Sequence, residues 1–216
     1  MNYKYILFDL DGTLTNPQEG ITKSVQYALN KFGIEEKLDN LVKFIGPPLK
    51  GCFMEYYNMD EKTAEEAIEV YRERFAPIGV FENYAYDGID QVLEIVKDNN
   101  KTTALATSKP QLFAEKILEK YNLTQYFDII VGSNMDGTRS NKDEVIEEVF
   151  SKLNLKEEDK KYVLMVGDRK YDVAGANKCG IDSLGLRYGF AEENELEDAG
   201  ATYIVDTMQD LQDFFK

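Results

Sequence analysis

The chain contains no histidine. That one absence removes Ser-His-Asp triads, Cys-His dyads, phosphohistidine chemistry and His-ligated zinc. Cysteine is scarce too. Cys52 and Cys179 are isolated, lack metal-ligand spacing, and read as reduced core thiols rather than a disulfide. No apolar run approaches a membrane span, and no basic stretch followed by an apolar one opens the sequence. A soluble, cytoplasmic protein without a membrane partner is therefore expected. Positive charge is in deficit: 25 Lys and Arg against 40 Asp and Glu give a formal net charge of −15. That balance argues against a nucleic-acid polymer as partner and repels anionic ligands at long range. A phosphate site in such a chain needs its own local positive charge. Carboxylates, hydroxyls, lysines and oxygen-bound metal are what remain for catalysis.

Internal repeats, low-complexity tracts and Gly/Ser linkers are also missing. What is present is an ordinary globular composition, 43% hydrophobic over 216 residues, enough for one large domain with a smaller insert. Six short apolar runs read as strands: Tyr3–Phe8, Thr102–Ala106, Ile129–Val131, Tyr162–Val166, Ile181–Leu186 and Tyr203–Val205. Most are continuous rather than alternating, as in a parallel sheet covered on both faces. Helical stripes separate them, such as Ile89, Val92, Leu93 and Val96, or Val145, Ile146, Val149, Phe150 and Leu153. The alternation predicts an α/β fold, a doubly wound Rossmann-like parallel sheet with ligands at the carboxyl ends of its strands. Residues 16–84 lack convincing strands and carry helical patterns, far more than a plain connection requires. They are expected to form an inserted α-helical cap domain on a core of residues 1–15 and 85–216. Acidic stretches such as Glu65, Glu66 and Glu69, and Glu192–Asp198, are expected to be solvated.

The chemistry concentrates at strand ends. Tyr5-Ile6-Leu7-Phe8 runs into Asp9-Leu10-Asp11-Gly12-Thr13. Two carboxylates this close repel, and strands disfavour Asp, so a divalent cation or a catalytic pair is one reading; a strand end with an Asp-Gly turn is the other. Thr107-Ser108-Lys109-Pro110 follows the second strand and reads either as an oxyanion cradle or as a helix cap with a solvated lysine. Gly132-Ser133-Asn134 is followed by Arg139-Ser140-Asn141-Lys142. A cation at a helix start, where acidic side chains are favoured, points to an anion nearby. Val163-Leu164-Met165-Val166-Gly167-Asp168 ends a fourth strand, with Asp172 one helical turn beyond. If that turn is helical, both carboxylates lie on one side and suit oxygen ligation of Mg²⁺.

In these four segments, in this order, the chain resembles the haloacid-dehalogenase-like hydrolase superfamily, specifically its phosphatases with a helical cap. The resemblance spans essentially the whole sequence. It implies a Mg²⁺-dependent phosphomonoesterase acting on a small-molecule phosphate ester. Asp9 would be the nucleophile that forms an aspartyl-phosphate, and Asp11 the general acid. Lys142 would steady nucleophile and phosphoryl group. Gly12, Thr13, Thr107, Ser108 and Lys109 would line the phosphate site, and Asp9, Asp11, Asp168 and Asp172 the metal site. In the cap, Gly46-Pro47-Pro48 either presents backbone groups to the phosphate or simply starts a helix. Together with Thr15–Ile21, Gly132-Ser133 and Asp136-Gly137-Thr138-Arg139, it resembles a branch described as 5′-nucleotidases, bordering the phosphoglycolate phosphatases. Nucleoside 5′-monophosphates are accordingly the expected substrate class, with phosphoglycolate or a sugar phosphate as the alternative. A monomer is expected. A non-catalytic phospho-acceptor or binding domain would have no use for Asp11 as a proton donor or for the cap.

Overall fold

The computed structural model describes residues 2–216. The chain enters through strand β1 (Tyr5–Phe8) and a short β2 (Thr15–Asn16), then passes through helices α1 (Gln18–Lys31), α2 (Leu49–Tyr57) and α3 (Glu61–Phe75). A short β3 (Tyr84–Ala85) leads on to α4 (Ile89–Asp98), β4 (Thr102–Pro110), α5 (Gln111–Lys120) and β5 (Ile129–Ser133). After these come α6 (Lys142–Leu153), β6 (Val163–Gly167), α7 (Lys170–Cys179), β7 (Asp182–Leu186), α8 (Glu195–Asp198), β8 (Tyr203–Val205) and α9 (Met208–Phe215). Two compact units result. One runs up to Asn16 and resumes at Ala85–Lys216; the other is Pro17–Tyr84.

The first unit is built on a six-stranded sheet ordered β5-β4-β1-β6-β7-β8, with its five strand pairings all parallel. The chain winds outward from β1 in both directions, so the order reverses between β1 and β6. Crevices for ligands open at such a reversal. Register sets which residues meet there: Phe8 pairs with Leu105 and with Val166, so Asp9, Thr107 and Asp168 all follow within two residues. One face of the sheet buries Leu7, Ala104 and Met165 against Val145, Ile146 and Val149 of α6 and Ala176 of α7. Each of the Val, Ile, Leu and Met side chains buried there contributes about 1.5–3 kcal/mol. That rigid base holds the strand ends still.

Strand bounds differ from the sequence reading at their ends. Tyr3 lies outside β1, where its hydroxyl donates to Asp182 at 2.5 Å. β4 runs on to Pro110, because a register shift between Ala106 and Pro110 keeps the Thr107–Lys109 segment alongside β5.

The second unit is helical. Pro17 precedes α1, Gly33 follows it at φ +73°, and Pro48 precedes α2. Asp60 caps α3 by accepting from Thr63 N at 2.8 Å. Phe44 packs against Phe53, Tyr56 and Tyr57, while Tyr71 stacks on Phe75. Glu65, Glu66 and Glu69 are exposed, although Glu65 pairs with Lys50. Among the described residues no helix is long and apolar enough to cross a membrane.

Candidate active site

At the end of β1 the backbone stays in register for one more residue, with Asp9 N donating to Val166 O at 2.9 Å. It then folds into a tight loop in which Leu14 N and Thr15 N both donate to Leu10 O. Gly12 makes the loop possible. Its φ is +82°, and a Cβ there would stand 2.0 Å from Asp168 Oδ2. A side chain at position 12 would therefore displace the carboxylate beside it. Asp9 and Asp11 are buried, at 5% and 8% exposure.

Lys142 opens α6 and is buried despite its charge. Gly175 of α7 gives the lysine stem room, since a Cβ there would lie 2.7 Å from Lys142 Cγ. The ammonium donates to Ala106 O at 2.9 Å. It also lies 2.9 Å from Asp9 Oδ1 and 2.7 Å from Asp172 Oδ1. Both of those oxygens are within ion-pair reach but lack hydrogen-bonding angles, so they retain acceptor capacity.

Asp168 and Asp172 frame the start of α7. Asp168 is fully buried, and Asp172 accepts from Arg169 N at 3.1 Å. Asp9, Asp168 and Asp172 each offer a carboxylate oxygen, and the three oxygens lie within 4.8 Å of one another. Asp11 stands outside that cluster. Its Oδ2 is 2.7 Å from Lys109 Nζ. The sequence reading grouped Asp11 with the metal carboxylates and Lys109 with the phosphate ligands. In the structure each side chain engages the other, because β4 continues far enough to bring Lys109 to the Asp11 loop. Thr107 is buried, its hydroxyl accepting from Lys109 N at 3.2 Å, and Ser108 is half-buried. Thr13 is fully buried and donates to Asp168 Oδ1 at 3.4 Å. Gly46 and Pro47 belong to the helical unit, immediately before α2.

The electrostatics are unbalanced in a definite direction. Four buried aspartates (Asp9, Asp11, Asp168, Asp172) face two buried lysines (Lys109, Lys142), leaving two negative charges uncompensated. Burial pushes the Asp168 carboxyl well above its ordinary range, and the charges of Asp172 and Asp9 push it further. Burial likewise raises Asp172 to about 6, with Lys142 opposing and Asp9 reinforcing. Asp11 is raised chiefly by burial, against the pull of Lys109. Burial alone would weaken the Lys142 ammonium, but Asp172 and Asp9 outweigh it and hold the proton more firmly. A divalent cation among Asp9, Asp168 and Asp172 would cancel the residual charge and occupy the spare carboxylate oxygens. The donor set, hard oxygen throughout, fits such an ion.

Three features escaped the sequence reading. The Glu192–Asp198 stretch is not wholly solvated. Glu195 is buried, accepting from Arg169 Nε at 2.8 Å and Lys170 N at 2.7 Å, since its α8 helix tucks under the start of α7. Arg169 is correspondingly a buried ion-pair partner. The Tyr188-Gly189-Phe190 segment after β7 touches Asp168 through Phe190 N at 2.7 Å. Its position just past an apolar strand was the available signal.

Comparison with known proteins agrees on one family. A family profile described as haloacid dehalogenase-like hydrolase matches residues 6–186. A 5′-nucleotidase from Pseudomonas aeruginosa is 47% identical over 197 residues, covering 91% of this chain and 88% of the relative. The tyrosine-protein kinase PtkA of Mycobacterium tuberculosis is 34% identical, covering 92% of this chain and 67% of its own length. A crystal structure described as a predicted phosphatase from Clostridium acetobutylicum superposes with a TM-score of 0.95. It shares 52% identity and covers 99% of this chain and 98% of that one.

Proposed function

The chain belongs to the haloacid dehalogenase-like hydrolase family, and from that membership we propose a phosphomonoesterase that works through an aspartyl-phosphate on Asp9. The observation that carries this reading is the division of the buried charges. Asp9 shares Lys142 with Asp172, whereas Asp11 has its own lysine and a raised pKa. Asp9 thus lies beside a shared ammonium, while burial, against the pull of Lys109, inclines its neighbour Asp11 to hold a proton. Two carboxylates in unlike environments take unlike roles.

In the first half-reaction an Asp9 oxygen bonds to phosphorus as the ester P–O bond breaks. Asp11 passes its proton to the departing oxygen. In the second, Asp11, now ionised, takes a proton from water as that water attacks phosphorus, and the P–O bond to Asp9 breaks. Inorganic phosphate leaves and both aspartates return to their starting states. Lys142 places positive charge next to the attacking oxygen, and Thr107 lines the same end of the sheet. Positioning and charge neutralisation dominate phosphoryl transfer. Mg²⁺, held by Asp9, Asp168 and Asp172, would supply the further positive charge that the transferring oxygens require.

Nucleoside 5′-monophosphates are the substrate class best supported, by the 47% identity to a nucleotidase over most of both chains. We assign the choice of leaving group to the helical unit, because the buried core groups are aspartates, lysines and hydroxyls suited to phosphate and metal. The test is phosphate release with Mg²⁺ from nucleoside monophosphates, phosphoglycolate and sugar phosphates, with Asp9→Asn as control. Preference for nucleotides that vanishes in the variant is expected, together with a hydroxylamine-labile phosphoenzyme in the wild type. Preference for phosphoglycolate or a sugar phosphate would retain the chemistry and replace the substrate. No turnover of any of them would remove the hydrolase reading.

A further inference from the structure

Three strand ends meet around one carboxylate. Asp168, after β6, is flanked on one side by the loop after β1 and on the other by the segment after β7. The first side touches it through the Thr13 hydroxyl and the Cβ-less face of Gly12. The second holds it through Phe190 N, which donates to Oδ2 at 2.7 Å. Gly189 also has no room for a side chain, since a Cβ there would lie 2.4 Å from the Asp168 side chain. These contacts fix the carboxylate only if the two flanking loops are fixed to each other. One side chain does that directly. The Tyr188 hydroxyl donates to Thr13 O at 2.9 Å, and its ring packs edge-on against Tyr86 at 5.1 Å.

We propose that Tyr188 is a positioning residue for the metal site, tying the Asp9–Thr13 loop to the segment that holds Asp168. The circuit is closed. Tyr188 bonds to Thr13, Thr13 to Asp168, Asp168 to Phe190, and Phe190 lies two residues from Tyr188 along the chain. Removing the hydroxyl opens it at one point and leaves the aromatic packing against Tyr86 in place. The carboxylate then loses one of the restraints that hold the loops on either side of it together. Partners that orient ligand side chains typically carry tenfold to a hundredfold in metal affinity. The Tyr188 hydroxyl bonds to Thr13 rather than to a carboxylate of the cluster, so it acts through Thr13 and Asp168. The inference rests on the reading that Asp9, Asp168 and Asp172 hold a divalent ion.

The test is direct Mn²⁺ binding, followed by electron paramagnetic resonance of the free ion, for wild type, Asp168→Asn, Tyr188→Phe and Tyr86→Phe. Thermal unfolding of each metal-free protein is measured alongside. Wild-type binding, lost in Asp168→Asn and weakened about tenfold or more in Tyr188→Phe, is expected. The metal-free melting temperature of Tyr188→Phe should stay close to that of wild type, and Tyr86→Phe should bind Mn²⁺ as wild type does. A merely structural role would move the melting temperature and leave the Mn²⁺ affinity alone, and that result would overturn the inference. So would wild-type affinity in Tyr188→Phe. Absence of binding to the wild type would overturn the metal reading and this inference together.

Discussion

Lys142 Nζ lies 2.9 Å from Asp9 Oδ1 and 2.7 Å from Asp172 Oδ1, so one buried ammonium joins the end of β1 to the first turn of α7. In the proposed mechanism the same group steadies Asp9 for attack and keeps two carboxylates together. Removing it should affect both tasks. Lys142→Met is expected to lower kcat by about 10²–10³, the scale seen when one preorganised charge-stabilising donor is deleted. It should also destabilise the fold by about 3–5 kcal/mol, because two buried carboxylates lose their counter-charge. The double variant Lys142→Met/Asp172→Asn, compared with Asp172→Asn alone, separates the effects: urea unfolding should recover much of the stability, while turnover stays below that of the Asp172 single variant. Recovery of turnover in the double variant would remove Lys142 from the chemistry.

Asp11 is set apart from the Asp9–Asp168–Asp172 cluster by its ion pair with Lys109, and burial raises its pKa. As the proposed proton donor it should matter in proportion to how badly the leaving oxygen needs a proton. Asp11→Asn is therefore expected to cut turnover of an alkyl phosphate or nucleotide by about 10²–10⁴. A nitrophenyl phosphate, whose leaving group departs without help, should lose far less in the first half-reaction. Its phosphoenzyme should accumulate, since water attack still needs Asp11 as base. Equal losses with both leaving groups, and no accumulation in a rapid-quench experiment, would assign the proton transfer elsewhere.

The raised carboxyls make metal binding a competition with protons. Asp172 has its pKa raised from 3.8 to about 6. Between those values the folded chain holds a proton that the unfolded chain has released. This group's contribution to metal-free stability is therefore greatest at low pH and falls as pH rises through that window. A bound cation needs the ionised form, so the trend with Mg²⁺ is the reverse. The increase in melting temperature caused by Mg²⁺ should be small at pH 5 and larger at pH 7, with Asp168 extending the rise upward. In Asp172→Asn that pH dependence should shrink. A Mg²⁺-induced shift of the same size at both pH values would contradict it.

Much of this was legible in the sequence, for a physical reason. Asp9, Thr107 and Asp168 each come within two residues of the end of an apolar run, and the parallel register then brings them together without further information. Lys142 was conspicuous because a cation at a helix start opposes the helix dipole. The ion pairs were not legible. Whether Lys109 faces phosphate or Asp11 depends on a register shift within β4, and no local pattern encodes that shift. Glu195 was hidden for a related reason. Acidic residues surround it, and only the docking of one turn of helix makes it the buried member of that run.

Glu195 provides the last prediction, one of stability. Its carboxylate accepts from Arg169 Nε and Lys170 N, and the Arg169 and Glu195 side chains are 7% and 4% exposed. Burial alone would raise the Glu195 pKa, but Arg169 and the Lys170 amide outweigh it and hold it below its ordinary value. Its stabilising contribution is thus present above the unfolded value of 4.5 and is lost as pH falls through the lower folded value. Glu195→Gln removes the charge and keeps the shape, depriving the buried Arg169 cation of its paired carboxylate. Destabilisation of about 3–5 kcal/mol near neutral pH is expected. The gap from wild type should narrow as the solution is acidified and the native carboxylate is itself protonated. Replacing both partners, with Arg169→Leu and Glu195→Leu, should cost less than the single change, because no unpaired charge is left inside. Urea unfolding of the three variants at two pH values checks each statement. A double variant as unstable as Glu195→Gln would mean that the packing around α8, rather than the ion pair, holds the start of α7.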